Sequence, residues 1–298
     1  MSAGFDSMRG RGIATYLAIA FGGAWLCWAI PLGLGVSVRS PLFQVAMLPG
    51  GFAPAIAAVI VRKWITREGF ADAGLHLDLS RWRYYAIGLI LPYAVVAAIV
   101  AEAHLTGLGR PDFSLLRALR VLMPTGTRLP AQLPAALRLG VPVQCMTMAV
   151  IASPLLWGEE FGWRGYLQRR WFVQRPVHAA VATGLVWGIW HYPLLLKGYD
   201  YPESAAWGLL VFPVDAVLLS VIFAWLYSST GSIWAPSLAH AATNAIGISL
   251  TTLLFLGGSN LLFVGYLGIL SWMPLGGLAA WIVFTDRLRA GADRCRPV

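Results

Sequence analysis

Eight long apolar runs place the strongest limit on what this chain can fold into. A helix that crosses the hydrocarbon core of a membrane needs about 20 apolar residues. Hydrophobic residues make up 58% of the chain and charged residues only 12%, whereas a soluble domain carries about 25% charged residues. We therefore expect an all-α, polytopic integral membrane bundle of about eight transmembrane helices. The runs occupy residues 13–36, 42–61, 84–104, 141–168, 178–197, 207–228, 232–256 and 260–284.

The chain is expected to form a single membrane domain over residues 1–298. The polar motifs described below define a core at 141–250, and a basic tail that should be cytoplasmic follows at 285–298. The formal net charge is +9. In a chain this apolar, such a charge sets membrane topology and contacts anionic lipid, so membrane lipid is an expected partner and nucleic acid is not.

Positive charges between the apolar runs orient the predicted bundle. Clusters of Arg and Lys precede the first run, separate the second from the third, and follow the fourth and the eighth. With eight crossings all four clusters fall on one side, which predicts that both termini are cytoplasmic in a bacterial inner membrane. The segment 105–140 carries five further arginines on the predicted outer side. Either it lies on the membrane surface as an amphipathic helix, or the number of crossings differs there.

Ionisable side chains within the apolar runs mark the candidate functional site. Burying them in a membrane costs free energy, and they usually serve function or internal pairing. Glu160 and Arg164 are four residues apart, so they share a helix face and are predicted to form an ion pair. Glu159 is rotated by about 100° from Glu160. Its carboxylate is therefore free to point elsewhere.

Polar residues in later runs complete this set. Trp187 and His191 are four residues apart, as are His240 and Asn244, so each pair shares one helix face. Counted from the predicted cytoplasmic ends, Glu159, His191 and His240 lie about 15, 24 and 12 Å deep. We expect these side chains to converge on one cavity that opens toward the cytoplasm.

A free carboxylate, two imidazoles and an amide in a dry cavity suit the hydrolysis of a peptide bond. The carboxylate can take a proton from water, and imidazole and amide N–H groups can stabilise the oxyanion that forms. Glu159, His191 and His240 could instead bind a divalent metal ion, and the residue pattern does not separate these two mechanisms. The chain contains neither an H-E-x-x-H zinc motif nor a G-x-S-x-G nucleophile motif.

Two other classes of function fit the same residues. A proton-coupled transporter would use Glu159 and Asp215 as proton sites. A non-proteolytic membrane immunity or interaction protein would keep the motifs as structure. Asp215 belongs to no motif, and we expect it to line the cavity or to pair with a hydroxyl group. The three cysteines lack C-x-x-C spacing, and no cofactor is expected.

The order of the polar motifs resembles that of a known family. The chain has E-E-x-x-x-R at 159–164, W-x-x-x-H at 187–191 and H-x-x-x-N at 240–244. This pattern is similar to that of the CPBP family, the CAAX prenyl endopeptidases and bacteriocin-processing (Abi-like) membrane proteins. The resemblance covers 141–250. It implies an eight-helix membrane fold and an endopeptidase that cleaves near the cytoplasmic face, which in the prenyl-processing branch removes three residues after a lipidated cysteine.

The resemblance also implies a role for each catalytic residue. Glu159 and His191 would activate the attacking water, and His240 and Asn244 would form the oxyanion site. The family has also been described as metal-dependent, and the glutamate mechanism is the better account of these residues.

The remaining motif residues have supporting roles in this scheme. Glu160 and Arg164 would stabilise the structure around the site. Trp187 stands where the family usually has phenylalanine, and we expect this change to affect pocket shape more than chemistry. The expected partner is a peptide or membrane-protein substrate, with or without a lipid group.

Overall fold

The architecture is helical throughout the part of the chain that the structure, a computed structural model, describes. That part is residues 2–292, with side chains from 8 to 289, and no strand occurs in it. The all-α fold class is therefore confirmed. The long helices, labelled in chain order, are α1 Met8–Gly33, α2 Pro41–Ile65, α3 Leu79–Thr106, α4 Ala135–Arg170, α5 Pro176–Trp190, α6 Ala205–Thr230, α7 Trp234–Phe255 and α8 Leu261–Phe284.

Seven of these helices are long and apolar enough to cross a membrane within the described residues, where the sequence predicts eight. The exception is α5, which has 15 residues and does not fill the run predicted at 178–197. It ends at Trp190 because Pro193 lacks the N–H that would continue the helical ladder and its ring clashes with the preceding turn. A short helix, Tyr192–Leu195, follows. His191 therefore lies at the C-terminus of α5.

Helix α2 is a series of short helical pieces. It contains Pro41–Ala46, Leu48–Gly51 and Ala53–Ile60 before a final π-helical turn. Pro49 and Pro54 each remove a backbone donor, and neighbouring helices can re-satisfy the freed carbonyls in a membrane bundle. The predicted run at 42–61 therefore exists as one interrupted span.

Helices α4 and α7 each contain a wider π-helical turn, at Trp163–Leu167 and Thr243–Ile248. In such a turn the hydrogen bond spans five residues, and single π-turns inside α-helices occur frequently at functional sites. The turn in α4 holds Arg164 and the turn in α7 holds Asn244. Both turns lie within the predicted core at 141–250.

Helix α5 packs very closely on α6 because glycines face the contact. A methyl group at Gly184 would lie 2.6 Å from the Cα of Val217, and one at Gly188 would lie 2.8 Å from the Cα of Pro213. Small residues four apart allow this approach between membrane helices. The Gly184-x-x-x-Gly188 spacing therefore serves helix packing, and it brings the end of α5 into the middle of the bundle.

The start of α1 and the short helix after α8 lie at the same end of the bundle, which we call the terminal end. Arg9 Nε donates to the Arg170 carbonyl at the end of α4, at 2.6 Å. A short helix after α8, Arg287–Ala292, packs against α5 and α6. Residues 293–298 of the predicted basic tail, with Cys295, lie outside the described residues.

Ion pairs stabilise the terminal end. Arg62 is fully buried, and its guanidinium donates to Asp72 Oδ1 at 2.7 Å and to the Gly165 carbonyl at 3.0 Å. Arg170 bridges Glu68 and Asp72 at 2.8 and 3.3 Å. Partial burial acts to raise the pKa of Asp72, but the bond from Arg62 and the neighbouring arginines outweigh it, and the pKa lies below its ordinary value.

The basic segment 105–140 packs onto the opposite end of the bundle, which we call the loop end. Its short helix, Leu116–Leu122, follows Asp112, whose N–H donates to the Leu254 carbonyl of α7 at 2.7 Å. Leu116 is buried, whereas Phe113 is exposed. The segment is therefore one-sided, as an amphipathic segment should be, but between the end of α3 and the start of α4 only Leu116–Leu122 is helical.

Candidate active site

An internal cavity of about 760 Å³ contains the predicted site residues. The side chains of Glu159, His191, His240 and Asn244, carried by three different stretches of the chain, all line it. The rest of the wall is mostly apolar, and a wall of this kind strengthens electrostatic interactions inside the cavity. The geometric convergence expected from the helical spacing is present.

The carboxylate of Glu159 is held by the indole of Trp187. Trp187 Nε1 donates to Glu159 Oε2 at 2.9 Å, and the described residues donate no hydrogen bond to Oε1. A hydrogen bond to an ionised oxygen is stronger than one between neutral groups. Trp187 therefore orients Glu159 as well as shaping the pocket. Phenylalanine, the usual residue at this motif position, has no such donor.

Glu160 is turned away from Glu159 and is fully buried. Its Oε1 accepts a hydrogen bond from Arg164 Nη1 at 2.9 Å, which confirms the predicted ion pair. The same oxygen also accepts from His240 Nδ1 at 2.9 Å. A carboxylate only accepts, so the Nδ1 proton of His240 is held by Glu160 and Nε2 remains for other partners.

His191 is oriented by its own helix. Its Nδ1 donates to the Trp187 carbonyl one turn earlier, at 2.9 Å. Because that carbonyl can only accept, neutral His191 carries its proton on Nδ1 and a lone pair on Nε2. His191 can therefore accept a proton through Nε2.

Trp187 lies at the centre of the site. Its ring centroid is 5.0 Å from that of His240 and 5.7 Å from that of His191, and the Arg164 guanidinium carbon lies 4.9 Å from the ring. Asn244 extends the polar wall from the π-helical turn of α7 and is exposed. An amide N–H at this position can donate a hydrogen bond to a bound substrate.

Asp215 is not part of the cavity wall. It is fully buried within α6, and Ser271 Oγ donates to its Oδ1 at 2.6 Å. Of the two expectations from sequence, pairing with a hydroxyl group is therefore the one observed. This contact joins α6 to the middle of α8, which is a structural role.

Among the described residues, no group of three or more His, Cys, Asp or Glu side chains is placed to hold a metal ion. The side chains of Glu159, His191 and His240 therefore do not fit the metal set that the sequence alone allows.

The cavity wall contains further polar residues that no sequence motif indicates. Asp200 and Tyr199 line it from the connection between α5 and α6, and Tyr199 Oη donates to Gln44 Oε1 at 2.9 Å. In the sequence, Asp200 is notable only as a carboxylate between two tyrosines. Because it lies in a loop, no helical spacing predicts that it faces the site.

The cavity extends from the site toward the loop end. Its wall includes Leu115 and Leu133 of the basic segment, together with Asp200, and no described residue from the connections at the terminal end. The sequence predicts both a cytoplasmic active site and cytoplasmic termini. The membrane side of the site and that of the termini both stay predictions.

A helical membrane bundle with polar motifs gathered in an internal cavity defines the class, a polytopic membrane protein with the site of an intramembrane hydrolase. Residues 139–246 match the family model described as type II CAAX prenyl endopeptidase Rce1-like. This range contains all three motifs. The match agrees with the resemblance to the CPBP family that the motifs indicate, and the CAAX-processing members of that family are membrane endopeptidases.

A curated relative agrees with this assignment. The CAAX prenyl protease 2 of Methanococcus maripaludis is 24% identical over 228 residues, which are 72% of this chain and 72% of that protein. The long apolar helices and the similarity to membrane proteases support an integral membrane protein.

Proposed function

We propose that this protein is an intramembrane endopeptidase in which Glu159 and His191 activate a water molecule. The observation that carries the proposal is that both side chains line one largely apolar cavity, with Glu159 Oε1 and His191 Nε2 unbound by other described groups. Each of these atoms can accept a proton from water. The apolar wall supports a lipidated or membrane-embedded peptide as substrate.

The hydrolysis follows from these positions. Glu159 takes a proton from water as the water oxygen bonds to the scissile carbonyl carbon, and the carbonyl electron pair moves onto its oxygen. The resulting oxyanion collapses, the C–N bond breaks, and the leaving nitrogen receives the proton from Glu159 or His191. Since Trp187 already orients Glu159, the carboxylate needs little rearrangement to act as a general base.

His240 and Asn244 are proposed to stabilise the oxyanion. The Asn244 amide donates through its NH₂ group. Because Glu160 holds the Nδ1 proton of His240, Nε2 can donate only when the imidazole ring is doubly protonated. The bond from Nδ1 to Glu160 also fixes the orientation of the ring. Glu160 is therefore proposed to support catalysis through His240, beyond its ion pair with Arg164.

The rival functions have less support from the site. A proton-coupled transporter requires Asp215 to exchange protons with the cavity, but Asp215 lies outside the wall and is bonded to Ser271. An immunity or interaction protein that keeps the motifs only as structure would not need Glu159 Oε1 to lie in the cavity without a hydrogen-bond donor. The metal-dependent mechanism lacks a fitting ligand set among the described residues.

The test is cleavage of membrane-anchored peptides, with and without a prenyl group, by purified protein in liposomes, with products identified by mass spectrometry. Glu159→Gln should lower the cleavage rate by about 100-fold or more. Glu102→Gln, which removes a carboxylate of α3 outside the cavity wall, should leave it unchanged. Equal rates for wild type and Glu159→Gln would refute the proposal, and pH-coupled flux without cleavage would favour the transporter.

A chelator arm of the same assay tests the metal-free mechanism. Cleavage should continue in the presence of 1,10-phenanthroline. Loss of activity that a divalent metal ion restores would favour the metal-dependent alternative, even if Glu159→Gln is inactive.

A further inference from the structure

The charged groups of the cavity wall are all acidic or imidazole. Among the described lining residues there is no lysine or arginine, whereas Glu159 and Asp200 are both present. Arg164, the nearest cation to the site, is fully buried against Glu160. A bound peptide therefore meets two carboxylates in the wall and no lysine or arginine among the described lining residues.

Asp200 has no described partner. Lys197, three residues earlier in the same connection, is exposed and is not part of the cavity wall. No described hydrogen-bond donor or cation binds the Asp200 carboxylate, although it is partly buried in the cavity wall. An unpaired carboxylate in a low-dielectric site attracts a cation strongly. Burial raises the pKa of Asp200 to about 7, which shows how poorly the protein itself solvates this charge.

Asp200, Tyr199 and Glu159 line the same cavity. Tyr199 precedes Asp200 in the chain, and its hydroxyl donates to Gln44 Oε1, so it is not a donor to the Asp200 carboxylate. A peptide that places its scissile bond at Glu159 can bring a neighbouring side chain to Asp200.

We propose that Asp200 forms a substrate-binding subsite for the cationic side chain of a lysine or arginine near the scissile bond. This inference rests on the proposed function, because it assigns specificity to the same cavity. In the free protein the Asp200 carboxylate has no described partner. The cationic side chain of the substrate would supply one. It also disfavours acidic residues at the same substrate position, since like charges in a low-dielectric site repel.

The experiment compares peptides that differ at one residue, which is lysine, norleucine or glutamate. Norleucine keeps the carbon chain of lysine without the charge. The variable residue is moved through the positions on either side of the scissile bond. At one position wild-type protein should favour lysine over norleucine by about tenfold in kcat/KM, with glutamate the poorest.

Two matched variants assign the preference to Asp200. Asp200→Asn should remove the lysine preference, and Asp200→Lys should reverse it in favour of glutamate. Glu203→Gln is the control, because Glu203 is exposed in the same connection and does not line the cavity. It should retain the wild-type preference. A lysine preference that survives Asp200→Asn, or no preference in wild type, would overturn the proposal.

Peptide binding to a catalytically inactive variant tests the Asp200 subsite separately from the proposed catalytic activity. Fluorescence anisotropy in the Glu159→Gln background should show tighter binding of the lysine peptide than of the norleucine peptide, and addition of Asp200→Asn should abolish the difference. If wild type cleaves none of the peptides but this binding difference holds, the proposed function fails and the subsite stands. If cleavage occurs without any binding or rate difference, the subsite fails and the proposed function stands.

Discussion

Trp187 Nε1 donates a hydrogen bond to Glu159 Oε2 at 2.9 Å, and this contact joins the second motif of the chain to the first. It crosses from α5 to α4 and fixes one oxygen of the proposed general base. The indole also contacts His240 and Arg164. One aromatic side chain therefore positions groups from all three motifs.

Removal of that donor should weaken catalysis without removing the ring. Trp187→Phe is expected to lower kcat by about 10-fold to 100-fold, because a hydrogen bond to a charged group contributes about 1.5–3 kcal/mol. Trp28→Phe is the matched control, since the Trp28 indole donates to the Met47 carbonyl instead. Steady-state kinetics on one peptide, with Tm measured for both variants, checks this. A Trp187→Phe enzyme as fast as Trp28→Phe would contradict it.

Glu160 should act on the rate through His240. We predict that Glu160→Gln lowers kcat by about 10-fold or more while KM changes little, because the oxyanion that His240 stabilises exists only after water attacks. The substitution weakens the acceptor that holds His240 Nδ1 and orients the ring. The kinetic constants, with the Tm of the variant, provide the measurement. A rise in KM at unchanged kcat would indicate that His240 contacts only the bound substrate.

The ion pairs of Asp72 predict a pH-dependent stability. Its folded-state pKa is lowered, so its stabilising contribution is complete above the unfolded-state value of about 3.9 and is lost as the pH falls through the folded-state value. Asp72→Asn should therefore lower Tm by about 2–4 °C at pH 6, a modest amount because the side chain is 40% exposed and screened. The difference should vanish in acid.

Asp286→Asn provides the comparison for Asp72. Asp286 pairs with Arg289 at 3.6 Å, but both side chains are about two-thirds exposed, and such pairs contribute little. Its Tm should match wild type at both pH values. A larger Tm loss for Asp72→Asn in acid than at pH 6 would reverse the predicted sign.

We predict that the loop end and the terminal end lie on opposite sides of the membrane, whichever side is cytoplasmic. A cysteine at position 128, in the connection at the loop end, should react with an impermeant maleimide from the side of a sealed vesicle on which substrate is cleaved. A cysteine at position 67, at the terminal end, should react only from the other side. The native cysteines are replaced by alanine first. Labelling of both positions from one side would contradict the fold described here.

Contacts within one helix could be predicted from the sequence because helical periodicity fixes them. The Glu160–Arg164 ion pair follows from a spacing of four residues, and it is observed. The close packing of α5 at Gly184 and Gly188 follows from the same periodicity. The shortness of α5 was also signalled, by Pro193, but the apolar run continues past that proline and concealed the break.

Contacts between helices could not be predicted in the same way. The bonds from Trp187 to Glu159 and from His240 to Glu160 depend on how α4, α5 and α7 are tilted and packed. Side-chain spacing carries no information about that arrangement. The direction of the cavity depends on it as well. Asp200 lies in a loop, where no periodicity relates a residue to the site.

The most direct test of the central claim, that Glu159 and His191 act together on one water molecule, is a double-mutant cycle on kcat. Residues that act as a unit show strongly non-additive effects. Glu159→Gln and His191→Gln should each lower kcat by about 100-fold or more, and the account predicts that the double variant is no slower than the slower single variant. Two losses that multiply in the double variant would show that the residues act independently and would contradict the account.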